Sequence, residues 1–314
     1  MAHSGNRTVI YAALVGNLLI SVTKLAAAAY TGSSAMLSEG IHSIVDTGNQ
    51  GLLLLGLGRA KRAADRAHPL GYGKEIYFWS FVVAILIFAV GAGVSLYEGI
   101  RHINHPSPVR NVMINYIVLG LSFLFEGAAW LFAFKEFSRA KGRFGMLQAV
   151  KRSKDPSTFV VLFEDSAAML GIIVAFLGIF LGQLTGLYWL DGAASVVIGL
   201  ILGGTAIWLA IETKGLLIGE SAAPEVVAGL HRLVKAHPEV EKVNEVLTLH
   251  MGPEFILVNL SLDFRNDATA DQVERTVTEL TKEMKTEWPL VKKVFIEAES
   301  RSRFSDHPLQ PAEE

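Results

Sequence analysis

Long apolar segments constrain this chain more than any other feature of its sequence. A membrane-spanning helix needs about 20 consecutive, mainly apolar residues. Charged residues make up only 18% of the chain, against about 25% in a typical soluble domain. The sequence therefore predicts an α-helical membrane protein whose transmembrane domain covers residues 1–212. Its six predicted transmembrane helices are Val9–Tyr30, Ser34–Leu57, Tyr77–Tyr97, Val112–Phe134, Thr158–Leu181 and Leu187–Ile211.

Basic residues predict how these helices are oriented, because cytoplasmic loops of membrane proteins carry an excess of Lys and Arg. The loops on one side contain only Arg101 and Arg110. We therefore expect a multi-pass protein with both termini in the cytoplasm, in the inner (plasma) membrane of a bacterium. The links on the other side contain Arg59, Lys61, Arg62, Arg66, Lys74, Lys135, Arg139, Lys141, Arg143, Lys151, Arg152 and Lys154.

Ionisable side chains inside the predicted spans are candidates for function, because charge at membrane depth is costly. Lys24 lies near the outer end of its helix, so its ammonium group is expected to reach the interface. Asp191 begins the sixth helix and is also expected at the interface. Glu126 has no ionisable neighbour at helical spacing, which leaves a structural hydrogen bond and a role in proton movement open. The full set is Lys24, Glu39, His42, Asp46, Glu126, Glu164, Asp165 and Asp191.

His42 and Asp46 are the strongest candidates, because a spacing of four residues puts them on one helical face. An imidazole and a carboxylate are typical ligands of transition metals. Asp46 lies about 18 Å below the outer edge of its helix, and Asp165 about 10 Å above the inner edge of the fifth helix, so they reach similar levels in a core about 30 Å thick. Two carboxylates at one depth repel unless a cation or a proton lies between them.

The second helix and the basic link carry a family resemblance. Ser38–Thr47 (SEGIHSIVDT) and Asp65–Glu75 (DRAHPLGYGKE) are similar to motifs of the cation diffusion facilitators, in the branch that includes the mitochondrial zinc transporter of animals. The resemblance implies a homodimer that exports zinc or a similar divalent ion from the cytoplasm in exchange for protons. It also implies a transport site between the second and fifth helices, formed by His42, Asp46 and Asp165.

The sequence departs from the family pattern at the fourth ligand of this site, where Val161 lies four residues before Asp165. Glu164 and Asn17 are possible additional ligands. Three nitrogen and oxygen ligands with water or Asn would suit manganese, cobalt or iron(II) as well as zinc. Zinc stays first on the resemblance alone.

Two features of the basic link are also implied by the resemblance. Asp65 and His68 match two ligands of a second metal site, in which Tyr72 replaces the third, and the alternative is a His-Pro turn packed against the membrane surface. Lys74 and Glu220 match a charge cluster at the dimer hinge of family members. We therefore predict that these two side chains approach within salt-bridge distance.

The periodicity of the chain changes after Glu212 and predicts a small cytosolic α+β domain over residues 213–300 with the order αββαβ. The resemblance identifies it as a ferredoxin-like dimerisation domain. Residues 301–314 are polar, and we expect them to be disordered. Glu297, Glu299 and His250 are candidates for a weak metal site, against a solvated sheet face. The predicted elements are a helix over Pro224–Ala236, strands over Val243–Met251 and Phe255–Phe264, a helix capped by Thr269 and Gln272, and a strand over Val291–Glu299.

The function predicted from these features is proton-coupled antiport of divalent metal cations by alternating access. The alternative is a membrane-embedded, metal-dependent hydrolase, for which the sequence lacks HExxH and GxSxG motifs. A partner-binding scaffold is a third possibility. The absence of cysteine restricts metal ligands to His, Asp, Glu and Asn, and the net charge of −2 gives no reason to expect nucleic acid as a partner.

Overall fold

The chain forms two compact units in a computed structural model that describes residues 5–140 and 145–300. The first unit contains the described residues of Met1–Lys61 and Glu75–Lys214. The second contains Arg62–Lys74 and the described residues from Gly215 onward. The polar tail predicted over 301–314 lies outside the described residues.

The first unit is helical throughout its regular structure. The helix that begins at Glu75 runs without interruption to Asn104, with one π-helical segment in its middle that the sequence did not indicate. A short helix, also not predicted, lies in the fourth link. The elements are α1 (Gly5–Thr31), α2 (Ser34–Ala60), α3 (Glu75–Leu86), the π-helical segment (Ile87–Ala92), α4 (Gly93–Asn104), α5 (Val112–Ala140), α6 (Met146–Arg152), α7 (Pro156–Thr185) and α8 (Trp189–Ile218).

Five helices of the described residues are long and apolar enough to cross a membrane, so the chain is a multi-pass membrane protein. α2 is not among them, although its 27 residues make it about 40 Å long. Its composition is the reason, because Glu39, His42, Asp46 and Asn49 replace apolar residues along one face. The five spans are Leu14–Thr31, Glu75–Asn104, Val112–Arg139, Phe159–Thr185 and Trp189–Ile218.

Tight turns join α1 to α2 and α7 to α8, as the short predicted links require. Gly32 has φ of 74° and Gly186 has φ of 70°, a region that glycine enters without strain. The Ser33 side chain then accepts a hydrogen bond from the Met36 amide and caps α2. These turns make α1 and α2 neighbours, and α2 also packs against α3, α4 and α7.

The second unit is a three-stranded sheet with two helices, and its order αββαβ is the predicted one. Strand β1 pairs antiparallel with β2, and β2 pairs parallel with β3. Alternate residues of β2 from Ile256 to Leu262 are buried against α10, whose Leu280 and Met284 are also buried. The predicted capping box is confirmed, because Thr269 and Gln272 exchange both hydrogen bonds. The elements are α9 (Pro224–Lys235), β1 (Val240–Gly252), β2 (Phe255–Phe264), α10 (Ala270–Glu287) and β3 (Val291–Ala298).

Candidate cation site

The His42–Asp46 pair lies on the buried face of α2, as its spacing predicts. His42 Nδ1 is 3.1 Å from Asp46 Oδ1. The contact lacks hydrogen-bond geometry, so both ring nitrogens and Oδ1 have no hydrogen-bond partner among the described residues. The His42 side chain is 1% exposed. Buried polar atoms are rarely left without a partner, because their desolvation is then uncompensated. This pair is therefore available to a ligand.

A cavity of about 590 Å³ lies beside this pair. Asp46 and Asp165 both line it, and Asn17 and Val161 line it as well. At about 30 Å³ per molecule, the cavity has room for roughly 20 waters, so a hydrated ion fits. Its lining continues to Leu57 and Ser157, at the ends of α2 and α7 next to the basic links.

The predicted ligands share this region without forming a finished coordination shell. His42 is not among the residues that line the cavity, and Glu164 points to α2, where its Oε1 accepts a 2.6 Å hydrogen bond from Asn49 Nδ2. Among the residues that the structure describes, no group of three or more His, Asp or Glu side chains is arranged to hold a metal ion. The assignment of His42, Asp46 and Asp165 as ligands, with Glu164 or Asn17 in addition, stays a prediction.

Lys24 does not reach the membrane interface, so that prediction was wrong. Its side chain is fully buried, and its ammonium group contacts three acceptors from two neighbouring helices. Nζ lies 3.1 Å from Glu39 Oε2, 2.9 Å from Ser43 Oγ and 2.7 Å from Glu126 Oε1. Acceptors on two other helices compensate the buried charge inside the protein, so the ammonium group needs no contact with water at the interface. We call Lys24, Glu39, Ser43 and Glu126 the lysine network.

Glycine allows α7 to approach the lysine network. A Cβ atom at Gly171 would overlap Glu39 Oε1, so glycine leaves space for this carboxylate in its observed position. Glu39 Oε1 and Glu126 Oε2 are buried without a hydrogen-bond partner among the described residues. In each of these two carboxylates, one oxygen accepts a hydrogen bond from Lys24 and the other oxygen has no partner among the described residues.

Asp191 is also buried against neighbouring helices, at 1% exposure, and its place at the depth of the membrane interface stays a prediction. Its carboxylate accepts hydrogen bonds of 2.6 Å from Ser33 Oγ and from the Ser34 amide. His102 Nε2 lies 3.7 Å away. Asp191 therefore ties the start of α8 to the first turn of α2, where a negative charge is favoured by the helix dipole.

The loop between α2 and α3 brings Asp65 and His68 together, with His68 Nδ1 3.6 Å from Asp65 Oδ1. Both Asp65 carboxylate oxygens accept hydrogen bonds from other residues of this loop. Oδ2 accepts a 2.7 Å hydrogen bond from the Tyr72 hydroxyl, and Oδ1 accepts from the amides of Ala67 and His68. These hydrogen bonds hold the pKa of Asp65 below its usual value; the bond from Tyr72 contributes most, and the bond from the His68 amide comes next. These bonds suit the turn alternative, and the weak metal site stays a prediction.

The predicted hinge pair lies within the second unit. Lys74 Nζ donates to the carbonyl oxygens of Leu217 and Ile218, at 3.3 and 3.4 Å. Leu217 and Ile218 lie three and two residues before Glu220, respectively. The salt bridge between Lys74 and Glu220 stays a prediction.

The structure does not bring Glu297, Glu299 and His250 together. His250 pairs with Ile256 across β1 and β2, whereas Glu297 pairs with Ser261 across β2 and β3. The two positions are therefore separated by five residues of β2, or about 16 Å. Because one ion cannot bridge that distance, His250 cannot complete a site with the two glutamates in this structure.

The helical multi-pass unit thus buries carboxylates, an imidazole and a lysine, and some of these carboxylates line a half-open cavity. Ionisable groups buried in this way mark candidate functional sites of membrane proteins. Residues 10–218 match the family model of the cation efflux transmembrane domain. The chain therefore belongs to the cation efflux family, known also as the cation diffusion facilitators, and the resemblance noted from its motifs is confirmed.

Three similar proteins illustrate the range of the family. The mitochondrial proton-coupled zinc antiporter SLC30A9 of Xenopus laevis is 38% identical over 267 residues, which cover 84% of this chain and 48% of that protein. The human protein of the same name is 36% identical, covering 83% of this chain and 46% of its own length. The manganese efflux system protein MneP of Bacillus subtilis is 22% identical, covering 93% and 95%. The chain spans about half the length of the animal relatives, and none of the three is named as an enzyme.

Proposed function

We propose that the chain is a proton-coupled antiporter that exports divalent transition-metal cations from the cytoplasm. The observation that carries this proposal is the buried His42–Asp46 pair, whose nitrogens and Oδ1 lack partners beside a cavity that Asp165 shares. The names of its relatives, a proton-coupled zinc antiporter and a manganese efflux protein, support the same class of substrate.

The proposed chemistry is competition for lone pairs. A neutral imidazole and ionised carboxylates bind a metal cation, and protons compete for the same lone pairs. In the state open to the cytoplasm, metal displaces protons from His42, Asp46 and Asp165. In the state open to the opposite side, protons displace the metal. Proton release and metal binding favour each other, because each proton that leaves a carboxylate restores the negative charge that attracts the cation.

Alternating access requires a complete helical unit, and we propose that α2 is its sixth membrane span. α2 has sufficient length, and packing against α1, α3, α4 and α7 can shield its polar face from lipid. The cavity lining reaches toward the basic links, which fits a state open to the cytoplasm if both termini are cytoplasmic. A bacterial plasma membrane is the proposed location; one relative is a Bacillus subtilis protein, whereas the more similar animal relatives are named as mitochondrial.

The identity of the metal depends on the position that Val161 occupies. Without a fourth strong ligand there, the site is expected to accept manganese, cobalt or iron(II) beside zinc. The proposal also includes division of the chain into a transport domain over 1–212 and a ferredoxin-like dimerisation domain over 213–300. Lys74 and Glu220 are the proposed hinge of the homodimer.

Reconstituted protein provides the test. The purified chain in liposomes, with a metal-sensitive dye inside and a pH-sensitive dye outside, should show metal movement coupled to opposite proton movement. Asp46→Asn should reduce both signals to the level of protein-free liposomes. Asp271→Asn, the same change at an exposed carboxylate of α10, is the matched control and should leave both signals intact. Normal transport by Asp46→Asn or by Asp165→Asn would end the proposal.

A further inference from the structure

One residue belongs both to the lysine network and to the cavity. Glu126 lies on α5, and its Oε1 accepts from Lys24 Nζ at 2.7 Å. The same side chain lines the cavity together with Asp46 and Asp165. Its Oε2 is buried and has no hydrogen-bond partner among the described residues. Glu126 thus has one oxygen anchored by Lys24 and a second, buried oxygen without a partner, in a residue that lines the cavity, so a small change of its side-chain torsions can offer the second oxygen to another partner.

The charges of the lysine network indicate what that partner is. One ammonium group faces two carboxylates, so the network is short of one positive charge when both acids are ionised. When they are ionised, Asp46 and Asp165 add further negative charge around the same cavity. An uncompensated charge in a buried setting is costly, so the network gains either a proton on one carboxylate or a second cation. A small cation in the cavity satisfies this requirement beside Glu126.

We propose that Glu126 is a further cation-binding residue of the transport cavity, and that Lys24 is the positioning residue that holds it there. Glu126 bridges the two positive charges, with Oε1 on Lys24 and Oε2 on the divalent cation. This inference rests on the proposed function, which it deepens by adding a ligand from α5. Lys24 keeps its contacts with Glu39 and Ser43 throughout, so the bridge needs no broken ion pair.

The added carboxylate changes the chemistry of the site. With Glu126, the cavity wall offers oxygen ligands from four helices, which are Asn17 of α1, Asp46 of α2, Glu126 of α5 and Asp165 of α7. Oxygen ligands suit harder ions such as manganese, whereas imidazole suits zinc. Because the cavity has room for a hydrated ion, the first contacts can pass through water. Glu126 is thus expected to favour manganese over zinc.

Metal titration of the full chain in detergent tests the inference, with Mn²⁺ and Zn²⁺ as the two probes in a calorimeter. Glu126→Gln should weaken Mn²⁺ binding about tenfold or more, and weaken Zn²⁺ binding less. The Gln side-chain oxygen still accepts from Lys24, so the variant keeps the network and is expected to fold. Glu126→Asp retains the charge and should recover part of the Mn²⁺ affinity. Glu98→Gln, at a carboxylate paired with Arg101, is the matched control and should bind like the original chain.

A second pair of substitutions isolates the role of Lys24. Lys24→Gln combined with Glu39→Gln removes one positive and one negative charge, so the net charge of the network is unchanged. Glu126 then remains ionised but loses its anchor. The double variant should bind Mn²⁺ more weakly than the original chain, with a lower preference for Mn²⁺ over Zn²⁺. A purely structural role for Lys24 would lower thermal stability and leave that preference unchanged.

The outcomes separate this inference from the proposed function. Unchanged affinities in Glu126→Gln, with binding lost in Asp46→Asn, would overturn the role of Glu126 and leave the proposed function standing. Unchanged affinities in Asp46→Asn and Asp165→Asn would overturn the proposed function itself. If Glu126→Gln lacks a cooperative thermal transition, Glu126→Asp decides, because an unchanged ratio of Mn²⁺ to Zn²⁺ affinity in that variant also contradicts the inference.

Discussion

Two overlapping turns of α2, Glu39–Ser43 and His42–Asp46, use buried polar side chains in opposite ways. Glu39 and Ser43 meet a lysine from α1, which donates to both of them and to Glu126 of α5. In the His42–Asp46 pair, both ring nitrogens and Asp46 Oδ1 have no hydrogen-bond partner among the described residues, and the contact between the two side chains lacks hydrogen-bond geometry. Side chains whose charge is met by a neighbouring helix hold helices together, whereas polar atoms left unpaired beside a cavity are available to a substrate. The comparison predicts that changes at the two turns have different consequences.

The largest expected effect is a loss of transport when the His42–Asp46 turn is changed. Asp46→Asn keeps the size of the side chain and removes the charge that attracts the cation. We expect metal-dependent proton movement to fall to background while the thermal transition in detergent stays at or above that of the original chain, because a buried charge without a full set of partners is itself costly. A large drop in thermal stability would place Asp46 with the structural residues and erase the contrast between the turns.

The largest expected effect on stability falls on the lysine network. Lys24→Met leaves Glu39 and Glu126 buried without their shared cation, a change that costs about 3–5 kcal/mol when one partner of a buried ion pair is removed. Thermal unfolding in detergent measures it. The triple variant Lys24→Met, Glu39→Gln, Glu126→Gln removes the charges together and should recover most of the loss. Equal stabilities for the single and triple variants would show that the network does not hold these helices together.

The sequence predicted the contact within the His42–Asp46 turn but not the ion pairs of the lysine network, and the difference has a physical reason. His42 and Asp46 lie on the same helix, so their spacing alone predicts their contact. Lys24, Glu39 and Glu126 lie on three helices, and spacing within a helix says nothing about which helices face each other. The signal that was available is charge: a lysine and two glutamates at membrane depth have few ways to be compensated except by one another.

The second unit was more predictable than the first, because local patterns determine most of it. The alternation of β2 from Ile256 onward and the capping box at Thr269 are properties of short segments, and both are confirmed. The π-helical segment at Ile87–Ala92 has no such pattern, since all of its residues are apolar. The distance between His250 and Glu297 also could not be predicted from the sequence, because it depends on strand register across the whole sheet.

A smaller effect is expected at the position that departs from the family pattern. Val161 lines the cavity four residues before Asp165, one turn earlier on α7. Val161→His adds an imidazole there, which should shift the ratio of Zn²⁺ to Mn²⁺ affinity about tenfold toward zinc, or about 1.4 kcal/mol. Val161→Leu is the control, since it adds volume without a ligand and should not change the ratio. An unchanged ratio in the His variant would mean that the cation binds away from this face of α7.

The smallest expected effect tests whether the two turns are separable at all. Ser43 belongs to the lysine network through its 2.9 Å contact with Lys24, yet it follows His42 directly and also lines the cavity. Ser43→Ala removes one of three acceptors of the Lys24 ammonium group and leaves both carboxylates in place. A hydrogen bond to a charged group contributes about 1.5–3 kcal/mol, and the remaining ionic contacts should keep the loss near the lower value. Unfolding in detergent measures that loss, and the liposome assay should show transport close to normal. If Ser43→Ala stops transport as Asp46→Asn is expected to, the lysine network and the cation site act as one unit, and the division between holding and binding residues on α2 does not apply.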